Sequence, residues 1–190
     1  MVDTLADDWS DYTEFCQIMG FTLASWQRVE EAHFTFFKKM LGGPSAEVCS
    51  VIYHGTTSFE GRRVLVDRVA IFFKMPDDAR TEWDAIHKAL EPAATNRNKI
   101  AHYVVDADVL GQEKHADGSL TVTFSPHRLR PSKVNIVDRL IKGRTPEKPG
   151  HNVSRNELFE YMKDFQNLTA RIDALTRKLF SSQQQPEETP

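Results

Sequence analysis

Trp9, Tyr12, Cys16, Met19, Leu23 and Trp26 recur at steps of three and four, and the series runs on to His33, Phe37 and Met40. That spacing predicts one long amphipathic helix closed by Gly42-Gly43. Pro44 suits the first turn of a second helix, which carries Val48, Val51 and Ile52 and stops at Gly55. Thr57-Ser58-Phe59-Glu60 has the form of a capping box and opens a third helix through Val64, Leu65, Val69, Phe72 and Phe73. Met75-Pro76-Asp77 breaks the chain. A fourth helix holds Trp83, Ile86, His87 and Leu90, meets Pro92, which kinks or splits it, and resumes through Ile100 to about Val104.

The period then changes. The stretch from Tyr103 to Leu110, a turn around Asp117-Gly118, and Leu120, Val122 and Phe124 alternating with Ser119, Thr121 and Thr123 predict a β-hairpin over about 103–124. Residues 125–152 hold Pro126, Pro131, Pro146, Pro149 and Gly150, which predicts a long connection with one short helix around Val134 to Ile141. Ser154-Arg155-Asn156-Glu157 is a second capping box, with Val153 placed to staple onto Leu158. The last helix carries Leu158, Tyr161, Phe165, Leu168, Ile172, Leu175 and Leu179 on one stripe. Residues 181–190 are polar and rich in Pro and Gln, and read as a disordered tail. No internal repeat is evident. The expected fold is all-α: an antiparallel bundle of about five helices in a single domain over 1–180, with a late β-hairpin insertion.

Composition narrows the function classes. A net charge of -3 gives no global basic footprint for nucleic acid. Its distribution is uneven: Asp3, Asp7, Asp8, Asp11, Glu14, Glu30 and Glu31 crowd the start of the chain. Arg128, Arg130, Lys133, Arg139, Lys142, Arg144 and Lys148 line the connection. This basic stretch either guides a phosphate backbone, docks on the acidic first helix of a partner chain, or is solvated. Cys16 and Cys49 make neither a metal site nor a disulfide framework. Acidic residues occupy the place of a signal peptide's basic start, and no apolar run approaches the ~20 residues needed to cross a bilayer. The expectation is a cytoplasmic chain without a cofactor, resident metal or membrane association.

Candidate chemistry concentrates in Arg97-Asn98-Lys99-Ile100-Ala101-His102, near the end of the fourth helix. Arginine stays charged at any working pH, and imidazole exchanges a proton near neutrality. The pair suits a phosphodiester, where one group moves protons and the other holds anionic oxygens. Arg97 and His102 are five residues apart, so their Cβ directions differ by about 140°. Asn98 and His102 are four apart and share a face. A second copy of the helix about a two-fold axis would bring one chain's Arg97 near the other's His102.

Glu30 and His33 fall on the apolar seam of the first helix. They either line a cleft with the Arg97–His102 helix or form a hydrogen-bonded core pair on a slightly rotated stripe that uses Val29 and Phe34. Arg62 and Arg63 are further binding candidates. Glu30-x-x-His33 and Asp84-x-x-His87 also have the acid-x-x-His spacing of di-iron bundles, although Glu47 and Glu60, the carboxylates available to complete such a site, sit near helix starts.

An Arg, then a polar residue, then His at the fifth position after the Arg, late on a helix of a predicted bundle, resembles the motif of the HEPN superfamily. The form Arg97-Asn98-x-x-Ala101-His102 is similar to that of small bacterial HEPN-like proteins, with Ser58, Phe59, Arg62, Trp83 and Leu90 in fitting places before it. The resemblance covers roughly residues 20–105, and the last helix completes the bundle. It implies an all-α homodimer with the motif helices facing each other, and a metal-independent endoribonuclease, a toxin or defence effector with an antitoxin-like protein partner. It further implies that His102 acts as general base or acid, that Arg97 stabilises the phosphate and that Asn98 orients the site. Products would be a 2′,3′-cyclic phosphate and a 5′-hydroxyl. Other members of the superfamily are non-cleaving interaction or ligand-binding modules, so a non-catalytic homodimeric module is the alternative.

Overall fold

The structure, a computed structural model, describes residues 3–131 and 152–181. It is predominantly helical, with α1 (Asp3–Leu41), α2 (Ala46–Gly55), α3 (Phe59–Phe73), α4 (Asp77–His102) and α5 (Arg155–Phe180). The strands are β1 (Tyr103–Asp106), β2 (Val109–Lys114), β3 (Leu120–Phe124) and β4 (Arg128–Pro131). The expected short helix around Val134 to Ile141, most of the basic connection and nearly all of the tail lie outside the described residues. The chain divides into two compact units, one of Met1–Leu23 with Arg97–Met162, the other of Ala24–Asn96 with Lys163–Pro190.

The helix boundaries follow the chain's punctuation. Gly42 adopts φ 63° after α1, a left-handed conformation that a residue without Cβ takes at little cost, and its N–H reaches the Lys38 carbonyl at 3.3 Å. Pro44 lies just before α2 rather than in its first turn, and Ser45 caps the helix, accepting from Val48 N–H at 3.4 Å. Ser58, one residue later than the expected box, caps α3 and accepts from Gly61 N–H at 3.0 Å. This releases Glu60 to bond Arg63 instead. Lys74 in the left-handed region ends α3. α4 is not split: it runs unbroken through Pro92 and stops at His102, where Tyr103-Val104-Val105 enters β1.

Which faces are buried departs from the pattern in three places. In the first half of α1 the core face uses Phe15, Ile18 and Thr22, while Tyr12, Cys16, Met19 and Leu23 lie on the flank. The two stripes are offset by one residue and merge at Trp26, and packing selects the one bearing Phe15. On α2, Val48, Val51 and Ile52 are exposed and Cys49 and Tyr53 are buried. Seating the Tyr53 ring against Phe34 and Phe37 turns the aliphatic side outward. On α3, Val66 and Ala70 are buried, whereas Phe72 is exposed. In α5 the expected stripe is present, and Leu158, Phe165, Leu168, Ile172 and Leu175 are buried.

In the unit of Met1–Leu23 and Arg97–Met162, β2 and β3 form the expected hairpin. Gly118 has φ 83°, and Asp117 accepts from Ser119 N–H at 2.9 Å at its tip. The second arm reaches further than expected, because β4, in the stretch read as connection, pairs with β1 (Tyr103 with Pro131, Asp106 with Arg128). Both ladders keep one common register on either side of a shift near Val109, so β1–β2 and β3–β4 are two arms of one ribbon. Buried Leu129 exchanges backbone hydrogen bonds of 2.9 Å with Val153, and the Thr22 hydroxyl donates to the Leu158 carbonyl at 3.3 Å. His127 Nδ1 pairs with Asp11 at 2.7 Å.

The α5 capping box is closed on both sides, with Ser154 N–H on the Glu157 carboxylate at 2.9 Å and Glu157 N–H on the Ser154 hydroxyl at 3.3 Å. Val153 and Leu158, the two staple residues, are both fully buried. Ser154→Ala removes one side of this exchange and is expected to cost about 1 kcal/mol, lowering Tm by about 2–4 °C in a thermal melt.

Candidate functional site

Ile100 sets the orientation of the motif turn. It is buried, and at 100° per residue Asn98 and His102 then point to the opposite, outward side of α4. Both are exposed, and Arg97 is half-buried on the flank. The Arg97 Nη1 donates to Asn98 Oδ1 at 3.1 Å. The carboxamide therefore draws the guanidinium round the helix toward the face that Asn98 shares with His102. Lys99 and His102 occupy the last helical turn, where the exposed carbonyls of the helix end favour cations. This turn carries a half-buried guanidinium beside an exposed amide and an exposed imidazole within six residues.

Glu30, His33, Arg62 and Arg63 come together in the other unit, the one containing Ala24–Asn96. They do so mostly inside it. His33 is fully buried, with Nδ1 2.8 Å from the Tyr53 hydroxyl, and its ring stacks on Trp83 at 5.9 Å between centroids. Its Nε2 is buried and has no hydrogen-bond partner among the described residues. Burial, reinforced by the positive charge of His87, Arg62 and Arg63, holds the His33 pKa down at about 3. Glu30 accepts from Trp26 Nε1 at 2.5 Å and from Arg62 Nη1 at 3.0 Å. The Arg62 guanidinium also lies over the Tyr53 ring at 5.5 Å, and burial pushes the Tyr53 phenol above its usual range.

Arg63 donates to both Glu60 oxygens, at 2.8 and 2.7 Å, and to His87 Nε2 at 3.0 Å. Burial, with the Arg63 charge alongside, lowers the His87 pKa. Trp83 Nε1 donates to Asp67 at 3.0 Å, and Arg80 bridges Asp67 and Asp84 at 3.2 and 2.7 Å. Every candidate in this unit is thus engaged by a partner of the same fold, which corresponds to the hydrogen-bonded core pair rather than to a cleft lining. Val29 is buried on that rotated stripe, while Phe34 is half-buried.

The acid-x-x-His spacings do not build a metal site. Glu30 is taken by Trp26 and Arg62, and Asp84 by Arg80; among the described residues no group of three or more His, Cys, Asp and Glu side chains is placed to hold a metal ion. Sequence reasoning missed Tyr53, Asp67 and the Asp11–His127 pair. Tyr53 sits beside Val51 and Ile52, which drew the apolar stripe to the wrong side, and Asp11 and His127 are too distant in sequence for any spacing to link them.

Searches with models of known protein families, among curated proteins and among solved structures found no match.

The depressed His33 pKa fixes a pH dependence. The unfolded imidazole takes up its proton near its ordinary value of 6.5, the folded one only near 3. Stability from this group is complete above about pH 6.5 and falls as the pH drops toward 3. Between pH 6.5 and 5, where carboxylates stay ionised, the loss is expected to be about 2 kcal/mol. Urea denaturation at both pH values checks it. His33→Gln, which keeps an acceptor for Tyr53 but does not titrate, should remove most of this loss and leave a smaller dependence of the same sign from His87.

Proposed function

We propose that this chain is a HEPN-like, metal-independent endoribonuclease whose site is completed by a second copy. The observation that carries the reading is the Arg97–Asn98 hydrogen bond of 3.1 Å on an exposed helical turn that ends at His102. It supports an orienting role for Asn98, the role that the motif resemblance implies for the polar residue after Arg. On this reading the helices pack as an antiparallel bundle in one functional domain, and the motif turns of two chains face each other across a two-fold axis.

In the reaction, the imidazole of His102 takes the proton from a ribose 2′-hydroxyl. The 2′-oxygen attacks the adjacent phosphorus, and the bond from phosphorus to the 5′-oxygen breaks. That oxygen leaves with a proton returned by an imidazolium or by water. The products are a 2′,3′-cyclic phosphate and a 5′-hydroxyl. Arg97 neutralises the non-bridging oxygens as charge gathers on the crowded phosphorus. A cell-damaging RNA cleavage of this kind suits a toxin or defence effector held by an antitoxin-like partner.

Incubation of the wild-type chain with single-stranded and structured RNA in EDTA tests the reading. The expected result is cleavage leaving 2′,3′-cyclic phosphate ends, reduced about 100-fold or more in His102→Ala and in Arg97→Ala without loss of folded structure. Absence of cleavage on every RNA, with His102→Ala changing only stability, would make the non-catalytic homodimeric module the correct assignment.

A further inference from the structure

Among the described residues the outer edge of β3 is open. β3 pairs only with β2 among the described residues, and β2 is exposed along its whole length. The His115 N–H donates to the Ser119 carbonyl at 2.9 Å, so in this register Ser119, Thr121 and Thr123 direct their backbone groups toward β2. Those of Leu120, Val122 and Phe124 face the opposite way, to the free edge.

The side chains of the ribbon sort by face. Leu120, Val122 and Phe124 lie on one side and Thr121 and Thr123 on the other. Leu120 is 55% exposed, and Leu110 on β2 is 66% exposed. A two-stranded ribbon with one apolar face half in water is marginal by itself and gains stability from a third or fourth strand. The two edges differ in chemistry. β2 carries Glu113 and Lys114, the kind of charge that blocks edge pairing, whereas Leu120-Thr121-Val122-Thr123-Phe124 has no charge, Pro or Gly.

We propose that β3 is a self-association edge, pairing antiparallel with β3 of a second copy about a two-fold axis at Val122. The sequence is complementary to itself in that register. Val122 meets the partner's Val122, Leu120 meets the partner's Phe124, and Thr121 meets the partner's Thr123 on the polar face. The backbone groups already turned outward, those of Leu120, Val122 and Phe124, are the ones that form reciprocal hydrogen-bonded pairs about this axis. The product is a four-stranded sheet whose two central strands share an apolar stripe, flanked on each outer strand by Gln112 and Lys114, the cross-strand neighbours of Val122 and Leu120. The near-neutral charge of residues 109–124 (Glu113 and Asp117 against Lys114) favours a protein partner over nucleic acid.

This interface is distinct from any pairing of motif helices. Val122 lies about 30 Å along the ribbon from Tyr103, the residue after His102, so β3 pairing does not bring the two His102 side chains together. The two can therefore fail separately.

Sedimentation equilibrium of the full chain at micromolar concentration tests the proposal. Val122→Lys sets two like charges against each other at the axis and is expected to halve the mass of the wild-type assembly. Gln112→Lys, on β2, and His102→Ala should leave the β3 contribution to that mass unchanged. In a second measurement, Val122→Cys under mild oxidation should give a covalent dimer that the wild-type chain, with Cys16 and Cys49, does not form. A monomeric wild type, or a Val122→Lys variant of wild-type mass together with no Val122→Cys cross-link, overturns it.

Discussion

Placing an imidazole and a carboxylate one turn apart on the buried side of α1 obliges the surrounding helices to answer them. His33 has no access to water and remains neutral, so its Nδ1 takes the Tyr53 hydroxyl and its ring is sandwiched among Tyr53, Phe59 and Trp83. Glu30 keeps its charge partnered by drawing in Trp26 and Arg62, and Arg62 in turn lies over the rings of Tyr53 and Phe59. Removing one member of such a pair leaves its partner buried and unsatisfied. With the Arg62 and Glu30 side chains each only 14% exposed, that loss falls in the range of about 3–5 kcal/mol. An apolar core alone would tolerate several rotations of α2 and α3, whereas this network admits one.

The same logic, applied at the surface, explains why the motif turn differs in kind. Its only deep anchor is Ile100, and the hydrogen bond from Arg97 to Asn98 is made in an exposed setting. The first cluster is inward, with most of its donors and acceptors matched inside the fold. The second is outward, with an imidazole at a helix end. Phosphate chemistry on a substrate in solution needs the second kind of arrangement, which Glu30, His33, Arg62 and Arg63 do not offer.

The ribbon adds a third kind of surface. Its inner half is anchored by Leu129 on Val153 and by the salt links of Arg128 and Arg130 to Asp106 and Asp108, whereas β2 and β3 present apolar side chains to solvent and, among the described residues, an unpaired edge. The gradient from anchored to open along one hairpin is what makes the distal strand a candidate for pairing with a copy of itself.

Local chemistry was legible in advance wherever neighbours in sequence settle it. Helix ends at Gly42 and Ser154, the alternation in β3 and the turn at Asp117-Gly118 follow from φ preferences, side-chain capping and the two-residue period of a strand, all acting within a few residues. Arg97, Asn98 and His102 were legible for the same reason, since their relative directions follow from helical repeat alone. What the chain could not announce was choice among competing faces. α1 carried a second stripe, Phe15, Ile18 and Thr22, one residue away from the more apolar one, α2 had apolar residues on both sides, and β1 could have belonged to helix or strand. Tertiary packing decided these by the largest rings, Trp26, Tyr53 and Trp83, and by the need to satisfy His33 and Glu30. That decision turned Val51 and Phe72 out to solvent, paired Tyr103 with Pro131 across the hairpin and converted a suspected cleft into core. Sequence alone determined the elements and the chemistry carried by each turn. Only the tertiary structure decided which of those groups face water, because burial depends on partners far away along the chain.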